Sequence, residues 1–188
     1  MDWKNLVEVL LFAAPEPLTQ NRLNHVLQDE DSIKLGPLVD ELNAEYIETG
    51  KGLKIMQIAG GYQILSDKEY HVYLERLFHK KRKIQLSRPA MEALSIIAYR
   101  QPVTKSEIES IRGVESGSVI STLMERELIT VKGRSNTVGR PLLFNTTQLF
   151  LVSFRLEKVS DLPKLKEMSD LMRNNQELDL FVQDNALE

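Results

Sequence analysis

Three histidines and the absence of cysteine bound the chemistry open to this chain of 188 residues. His25, His71 and His79 lack the i, i+4 histidine partner and carboxylate that a helical zinc site uses, so they read as surface residues. Without cysteine there is no thiolate metal site, thiol nucleophile or disulfide framework, and a reducing cytosol suits the composition. No nucleophile elbow or ordered Ser, His, Asp signature accompanies the histidines. Thr49-Gly50-Lys51-Gly52 and Gly60-Gly61 have the glycine content of a phosphate loop. They lack the G-x-x-x-x-G-K-[ST] spacing and a strand leading into a helix, and read as a helix stop and a hairpin turn. The expectation is a chain with no catalytic residue, no cofactor and no metal.

What is left is charge and apolar surface. Basic residues gather at Lys80, Lys81, Arg82 and Lys83, and again at Lys132, Arg134 and Arg140, while the whole chain carries a net charge of -3. That sign opposes a grip on nucleic acid by the whole chain, because such affinity rests on neutralising phosphates. No run approaches the 18 or so apolar residues that cross a bilayer. The first apolar run, Leu6 to Ala14, contains Glu8 and lacks a basic flank and a cleavage site, so it reads as a helix and not a signal peptide, and no membrane is expected.

The elements that carry these residues occur twice. Pro17-Leu18-Thr19 and Pro102-Val103-Thr104, 85 positions apart, each follow an amphipathic helix and precede a short polar one. At that offset Val9 matches Leu94, Phe12 matches Ile97, Leu35 matches Ile120 and Leu38 matches Leu123. The first copy predicts helices over Trp3 to Ala14, Gln20 to Gln28 and Leu35 to Thr49, then strands over Leu53 to Ile58 and Tyr62 to Leu65 joined across Gly60-Gly61. Three helices and a hairpin is the winged-helix order. Ser66-Asp67-Lys68-Glu69 reads as a capping box opening a bridging helix with the apolar stripe Tyr70, Tyr73, Leu74, Leu77 and Phe78.

The second copy opens at the serine cap Ser87-Arg88-Pro89, with a capping box at Thr104-Lys105-Ser106-Glu107, a helix stop at Gly113 and a cap at Ser116. Strands are expected over Leu128 to Val131 and Leu142 to Asn145, with a closing helix capped by Thr147. The fold class is therefore mainly α with small β-hairpins (α+β), as two tandem winged-helix domains joined by a helical linker. The domain boundaries read 1–82, 83–157 and an acidic tail, 158–188, whose Leu162, Leu165, Met168 and Met172 suggest an amphipathic segment.

Winged helices often read DNA through the third helix, which must then present cations or amides to the groove. Here the first third helix carries Asp40, Glu41, Glu45 and Glu48 and no basic residue, and the second carries Glu125, Arg126 and Glu127. Either would be repelled by a duplex, so DNA contact is expected to be at most weak and nonspecific, through the second wing or Lys80 to Lys83. A tandem DNA-binding transcriptional regulator is the alternative reading. In the first hairpin Leu53 and Ile55 alternate with Met56 and Ile58, so both faces are apolar, and the second must be covered by the bridging helix or by another molecule. Met56, Ile58, Tyr62 and Ile64 are the candidates for self-association. On the second hairpin Arg134, Arg140, Pro141, Leu142, Leu143 and Phe144 are the candidates for partner binding, because this proline-stiffened strand holds more apolar groups than one face requires.

Two long blocks carry a resemblance. Leu94-Ser95-Ile96-Ile97-Ala98-Tyr99-Arg100-Gln101-Pro102-Val103-Thr104, with Ile108 to Val114, and Gly133-Arg134 followed by Gly139-Arg140-Pro141-Leu142-Leu143-Phe144-Asn145-Thr146-Thr147, closely resemble the segregation and condensation protein B (ScpB) family. The likeness is densest from Ser87 to Phe154 and in the first half is mainly one of pattern. It implies a non-enzymatic adaptor of the bacterial SMC condensin, acting in chromosome condensation and segregation during cell division. It further implies a homodimer through N-terminal domains, C-terminal domains that hold the kleisin ScpA, an SMC ATPase reached indirectly through ScpA, and a cytoplasmic, nucleoid-associated place. One departure is Phe154-Arg155-Leu156, where arginine stands at a position that is often glycine in this family and would ease the helix exit.

Overall fold

The computed structural model describes residues 2–28, 33–77 and 86–163. The chain divides into two compact units, Met1–Lys81 and Arg82–Glu188. Unit 1 runs α1 (Trp3–Ala13), α2 (Gln20–Leu27), α3 (Leu35–Glu48), β1 (Leu53–Ile58), β2 (Gly61–Ser66), a 3₁₀ turn (Lys68–Tyr70) and α4 (His71–Leu77). Unit 2 runs α5 (Arg88–Arg100), β3 (Val103–Thr104), α6 (Lys105–Arg112), α7 (Gly117–Glu125), β4 (Ile129–Arg134), β5 (Leu142–Thr146), α8 (Gln148–Ser153) and a second 3₁₀ turn (Val159–Asp161). Each unit has the helix, helix, helix, hairpin order of a winged helix, in an α+β chain.

In unit 1, α1 is opened by Asp2, whose carboxylate accepts from the Lys4 and Asn5 N–H groups, and α2 by Thr19, whose hydroxyl accepts from the Arg22 N–H. Val7, Leu11, Leu18, Leu23, Leu35, Val39, Leu42, Tyr46 and Ile55 bury one core between the helices and the hairpin. Leu18 also bonds Tyr62 in both directions, N to O at 2.8 and 2.9 Å, so the link before α2 is bridged to β2. That approach requires Gly61, where a Cβ would sit 3.0 Å from the Leu18 backbone.

Unit 2 repeats the arrangement with a three-stranded sheet ordered β3-β5-β4. Val103 pairs with Phe144 as Leu18 pairs with Tyr62. The capping box at Thr104 forms, with Glu107 Oε2 accepting from the Thr104 N–H at 2.8 Å. Ala93, Leu94, Ile97, Ile108, Leu123 and Phe150 are fully buried.

Four local expectations are corrected. The first hairpin turns on Ala59-Gly60, both at positive φ, and Gly61 already belongs to β2 opposite Ile58; two left-handed residues give the turn whose twist matches the strands. Asp67, not Ser66, caps the following turn, and the Tyr70 ring lies over Gly52, where it leaves no room for a Cβ. Ser116 occupies the cap position of α7 but spends its hydroxyl on the Val114 carbonyl and on the Arg112 guanidinium, leaving α7 without a side-chain cap. The match of α1 with α5 at a constant offset fails for burial: Leu94 and Ile97 are core, whereas Val9 and Phe12 are 61% and 84% exposed. Helix α1 buries the Val7, Leu11 stripe, and Val9 and Phe12 fall on the opposite side of its 3.6-residue turn.

Candidate functional site

The wing of unit 2 is the hairpin tip between β4 and β5. Its base is fixed by the pairs Val131 with Phe144 and Val103 with Phe144, and a bulge between Val131 and Gly133 sets Lys132 out of the ladder. Beyond it Arg134 faces Leu142 across the strands. The tip is held by its own backbone: the Ser135 N–H donates to the Pro141 carbonyl at 2.8 Å and the Arg140 N–H to the Thr137 carbonyl at 2.9 Å. Arg134 reaches across and donates from Nη1 to the Arg140 carbonyl at 3.1 Å, while Arg140 itself sits at φ 43.

This geometry brings Arg134, Arg140, Pro141 and Leu142 together on an accessible tip, with Lys132, Arg134 and Arg140 all exposed. It separates them from Phe144. That ring is 5% exposed and packs in the core, so it cannot meet a partner while the unit is folded, and Leu143 is half-buried. The alternation of a strand with one covered face accounts for both.

The residues nominated on the first hairpin fare differently. Ile58 is fully buried, and Tyr62 and Ile64 pack against the unit 1 core. Met56, opposite Gln63, is half-buried. Ile58 is therefore corrected from a self-association residue to a core residue, because the short two-residue turn folds its side chain inward with Ala59. Nor does α4 cover the hairpin with its whole apolar stripe: Tyr73 and Leu77 are exposed, and Phe78 lies outside the described residues.

Among the described residues, the large apolar side chains that unit 1 exposes are Val9 and Phe12 on the outer side of α1, Val26 on α2, Ile47 near the end of α3 and Leu53 at the start of β1, with Tyr70, Val72, Tyr73 and Leu77 beyond the hairpin. Sequence reasoning missed Val9 and Phe12. The signal was present, since Leu6 to Ala13 is apolar around nearly the whole helix, a pattern one covered face does not need.

Both third helices show carboxylates to solvent. On α3 Asp40, Glu41 and Glu48 are exposed, and Glu45 is held by Lys4 at 2.8 Å, which keeps its carboxyl below the ordinary range. At the end of α7 Glu125 and Glu127 are exposed. His25 is exposed on α2, His71 is half-buried at the start of α4, and His79 and the run Lys80 to Lys83 lie outside the described residues. Among the described residues no group of three or more His, Cys, Asp or Glu could hold a metal ion, and no helix is long and apolar enough to cross a membrane.

Two units of winged-helix order, with carboxylates exposed on α3 and at the end of α7 and cations exposed on the second wing, define a tandem α+β protein. The family model for segregation and condensation complex subunit ScpB matches residues 5–165. The chain belongs to that family. It is 41% identical over 178 residues to segregation and condensation protein B of Syntrophotalea carbinolica, covering 95% of this chain and 89% of that one. To the protein of the same name from Desulforamulus reducens it is 47% identical over 164 residues, covering 87% and 90%. Among solved structures, ScpB from Mycobacterium tuberculosis is 28% identical, with 79% of this chain and 91% of that one covered at a TM-score of 0.36. A dimer of an ScpB N-terminal domain complexed with an ScpA peptide is 26% identical, covering 40% and 93% at a TM-score of 0.35.

Proposed function

We propose that this protein is a non-enzymatic adaptor of the SMC condensin complex, which binds the kleisin ScpA and serves chromosome condensation and segregation during cell division. The observation that carries the reading is the ScpB family match over residues 5–165. The carboxylates on α3 and at the end of α7 support it, because they turn the groove-reading helices away from a duplex and toward protein. The chain would act as two domains, 1–82 and 83–157, followed by the tail 158–188, in the cytoplasm and near the nucleoid.

Self-association belongs to unit 1 in this reading. A solved ScpB N-terminal domain is itself a dimer, complexed there with an ScpA peptide. Of the residues first nominated, Met56 is the one with accessible surface to offer, and Val9 with Phe12 forms a more exposed alternative on α1. The wing residues Arg134, Arg140, Pro141 and Leu142 would meet the kleisin, with Leu143 and Phe144 holding the strand beneath them. The SMC ATPase is reached through ScpA, and contact with DNA is weak and nonspecific.

Co-purification of the full chain with its ScpA, with the mass of the assembly read by light scattering, tests this reading. A stable complex containing two copies of this chain is expected. Protection of a discrete sequence in a genomic footprint by the purified chain alone, with no ScpA complex, would replace it with a transcriptional regulator.

A further inference from the structure

The wing's charge is not balanced within the segment that forms it. From Leu128 to Leu156 the chain holds Lys132, Arg134, Arg140 and Arg155 and no carboxylate, within a protein of net charge -3. Lys132, Arg134 and Arg140 form no ion pair with any described residue. Beside them Leu142 is 37% exposed and Val138 wholly so. The surface therefore combines cations with apolar groups, which suits an acidic polypeptide better than a phosphate backbone.

The wing also has an open edge. Strand β4 is the outer strand of its sheet. The Thr146 N–H points away from β4, to Gln101 Oε1 at 2.7 Å, so the pair Ile129 and Thr146 is not hydrogen-bonded and Ile129 turns its main-chain groups outward. In unit 1 the corresponding edge is plugged, because the Asn43 amide bonds both main-chain groups of Ile55. No side chain among the described residues does this for β4. Such an edge accepts an added extended segment whose alternate side chains meet the flanking surface.

One segment of this chain has matching chemistry. The last fifteen residues, Asn174 to Glu188, hold four carboxylates and no lysine or arginine, and Glu177-Leu178-Asp179-Leu180-Phe181-Val182 alternates acid with apolar at its start. The described chain ends at Pro163, whose carbonyl accepts from the Tyr99 hydroxyl at 2.5 Å and so anchors the exit of the tail on α5. The residues between Pro163 and Glu177 span up to roughly 45 Å when extended. A unit of this size is about 30 Å across, so the tail reaches any part of its own unit.

We propose that the acidic end of the chain, Glu177 to Asp184, docks on the wing of its own unit 2. Its carboxylates meet Lys132, Arg134 and Arg140, and its apolar residues lie over the exposed Val138 and Leu142, next to the open edge of β4. The tail then shields this surface in the free protein, and a partner using the wing must displace it. This rests on the charge and edge of the wing and stands apart from the kleisin reading.

The absence of cysteine permits a direct test on the full chain. Asn136→Cys at the wing tip and Gln183→Cys in the tail are joined with a short bismaleimide, and single-chain and two-chain products are separated by mass. The expected result is a single-chain product at low salt that falls roughly fivefold or more when Lys132, Arg134 and Arg140 are each changed to Glu, or when salt is raised. Glu177→Lys, Asp179→Lys and Asp184→Lys should abolish it while leaving every described residue unchanged, and combining the two reversals should restore it. Equal yields with native and reversed wings would overturn the proposal. A product made mainly of two chains would assign the wing to the tail of a second copy and overturn it as stated.

Discussion

The Asn43 side chain holds both main-chain groups of Ile55: Nδ2 donates to the Ile55 carbonyl at 3.0 Å, and the Ile55 N–H donates to Oδ1 at 2.9 Å. One amide on α3 thus behaves as a short strand beside β1, fixing helix to hairpin and closing the edge on which unwanted pairing would start. Asn43→Leu removes both bonds and leaves a buried N–H and C=O unpaired, at a cost of about 1–3 kcal/mol. The sole tryptophan, Trp3, lies in unit 1, so urea unfolding followed by its fluorescence isolates that unit. An unchanged midpoint would show that the clamp adds nothing.

Three helices end in the same reverse turn with different residues at the left-handed position. Gly50 closes α3, Glu127 closes α7 and Arg155 closes α8, at φ 64, 56 and 52. In each the next N–H returns to the helix: Lys51 to Tyr46, Leu128 to Leu123 and Leu156 to Leu151. A side chain in this conformation is strained, whereas glycine adopts it freely but has more freedom to lose on folding. The strain is the larger effect, so Arg155→Gly and Glu127→Gly should each raise the stability of unit 2 by about 0.5–1 kcal/mol, and Gly50→Ala should lower that of unit 1 by about 1 kcal/mol. Thermal unfolding followed by circular dichroism for the first two, and by Trp3 fluorescence for the third, checks the signs.

The legible parts of this fold were those written in short-range chemistry. Thr19, Thr104, Ser87 and Thr147 start helices because a hydroxyl accepts from an N–H about three residues on, and each does so. Leu18 and Val103 are placed by the proline before them and the capped helix after them. The illegible parts depend on which side of an element another element covers. Helix α1 is apolar nearly all round, so a repeat alignment cannot say that Phe12 faces out while Leu11 faces in. Alternation on β1 puts Met56 and Ile58 on one face, yet the tight turn at Ala59-Gly60 buries Ile58 and leaves Met56 half-exposed. On the wing, residue type pointed to the exposed cations, while the burial of Phe144 follows from its pairing with both Val103 and Val131.

The start of α6 should respond to acid. Glu107 accepts from the Thr104 N–H and, at 2.7 Å, from its hydroxyl, and these two bonds hold its carboxyl below the ordinary glutamate range. A group depressed on folding stabilises at pH above its unfolded value and ceases to do so as pH falls through its folded value. Amide exchange at Thr104 should therefore accelerate as pH drops below the ordinary glutamate range, after correction for the intrinsic rate. Glu107→Gln, which keeps the side-chain shape without the titration, should flatten that response. An equal acid response in both proteins would place the transition elsewhere.

Arg140 separates binding from folding on the wing. It is exposed and forms no ion pair with a described residue, so Arg140→Glu should leave the unfolding temperature within error while weakening association with ScpA at least tenfold, about 1.4 kcal/mol. Phe144→Ala would lose affinity too, but by emptying the core at a cost of about 3–5 kcal/mol. Titration calorimetry paired with thermal unfolding distinguishes the two. Full affinity in Arg140→Glu would remove the wing from the docking surface.

Self-association sets two surfaces of unit 1 against each other. Phe12 is 84% exposed with Val9 one turn before it, a pair that water covers at a cost unless another molecule does. Met56 stands on the hairpin, half-buried opposite Gln63. A glutamate at position 12 touches no core residue and should change stability by less than about 0.5 kcal/mol. If α1 forms the dimer seam, Phe12→Glu brings two carboxylates into it and shifts the monomer–dimer midpoint upward at least tenfold in sedimentation equilibrium, while Met56→Glu leaves it nearly unchanged. The reverse outcome would return the seam to the hairpin, and the Trp3 emission of each variant verifies that unit 1 is still folded.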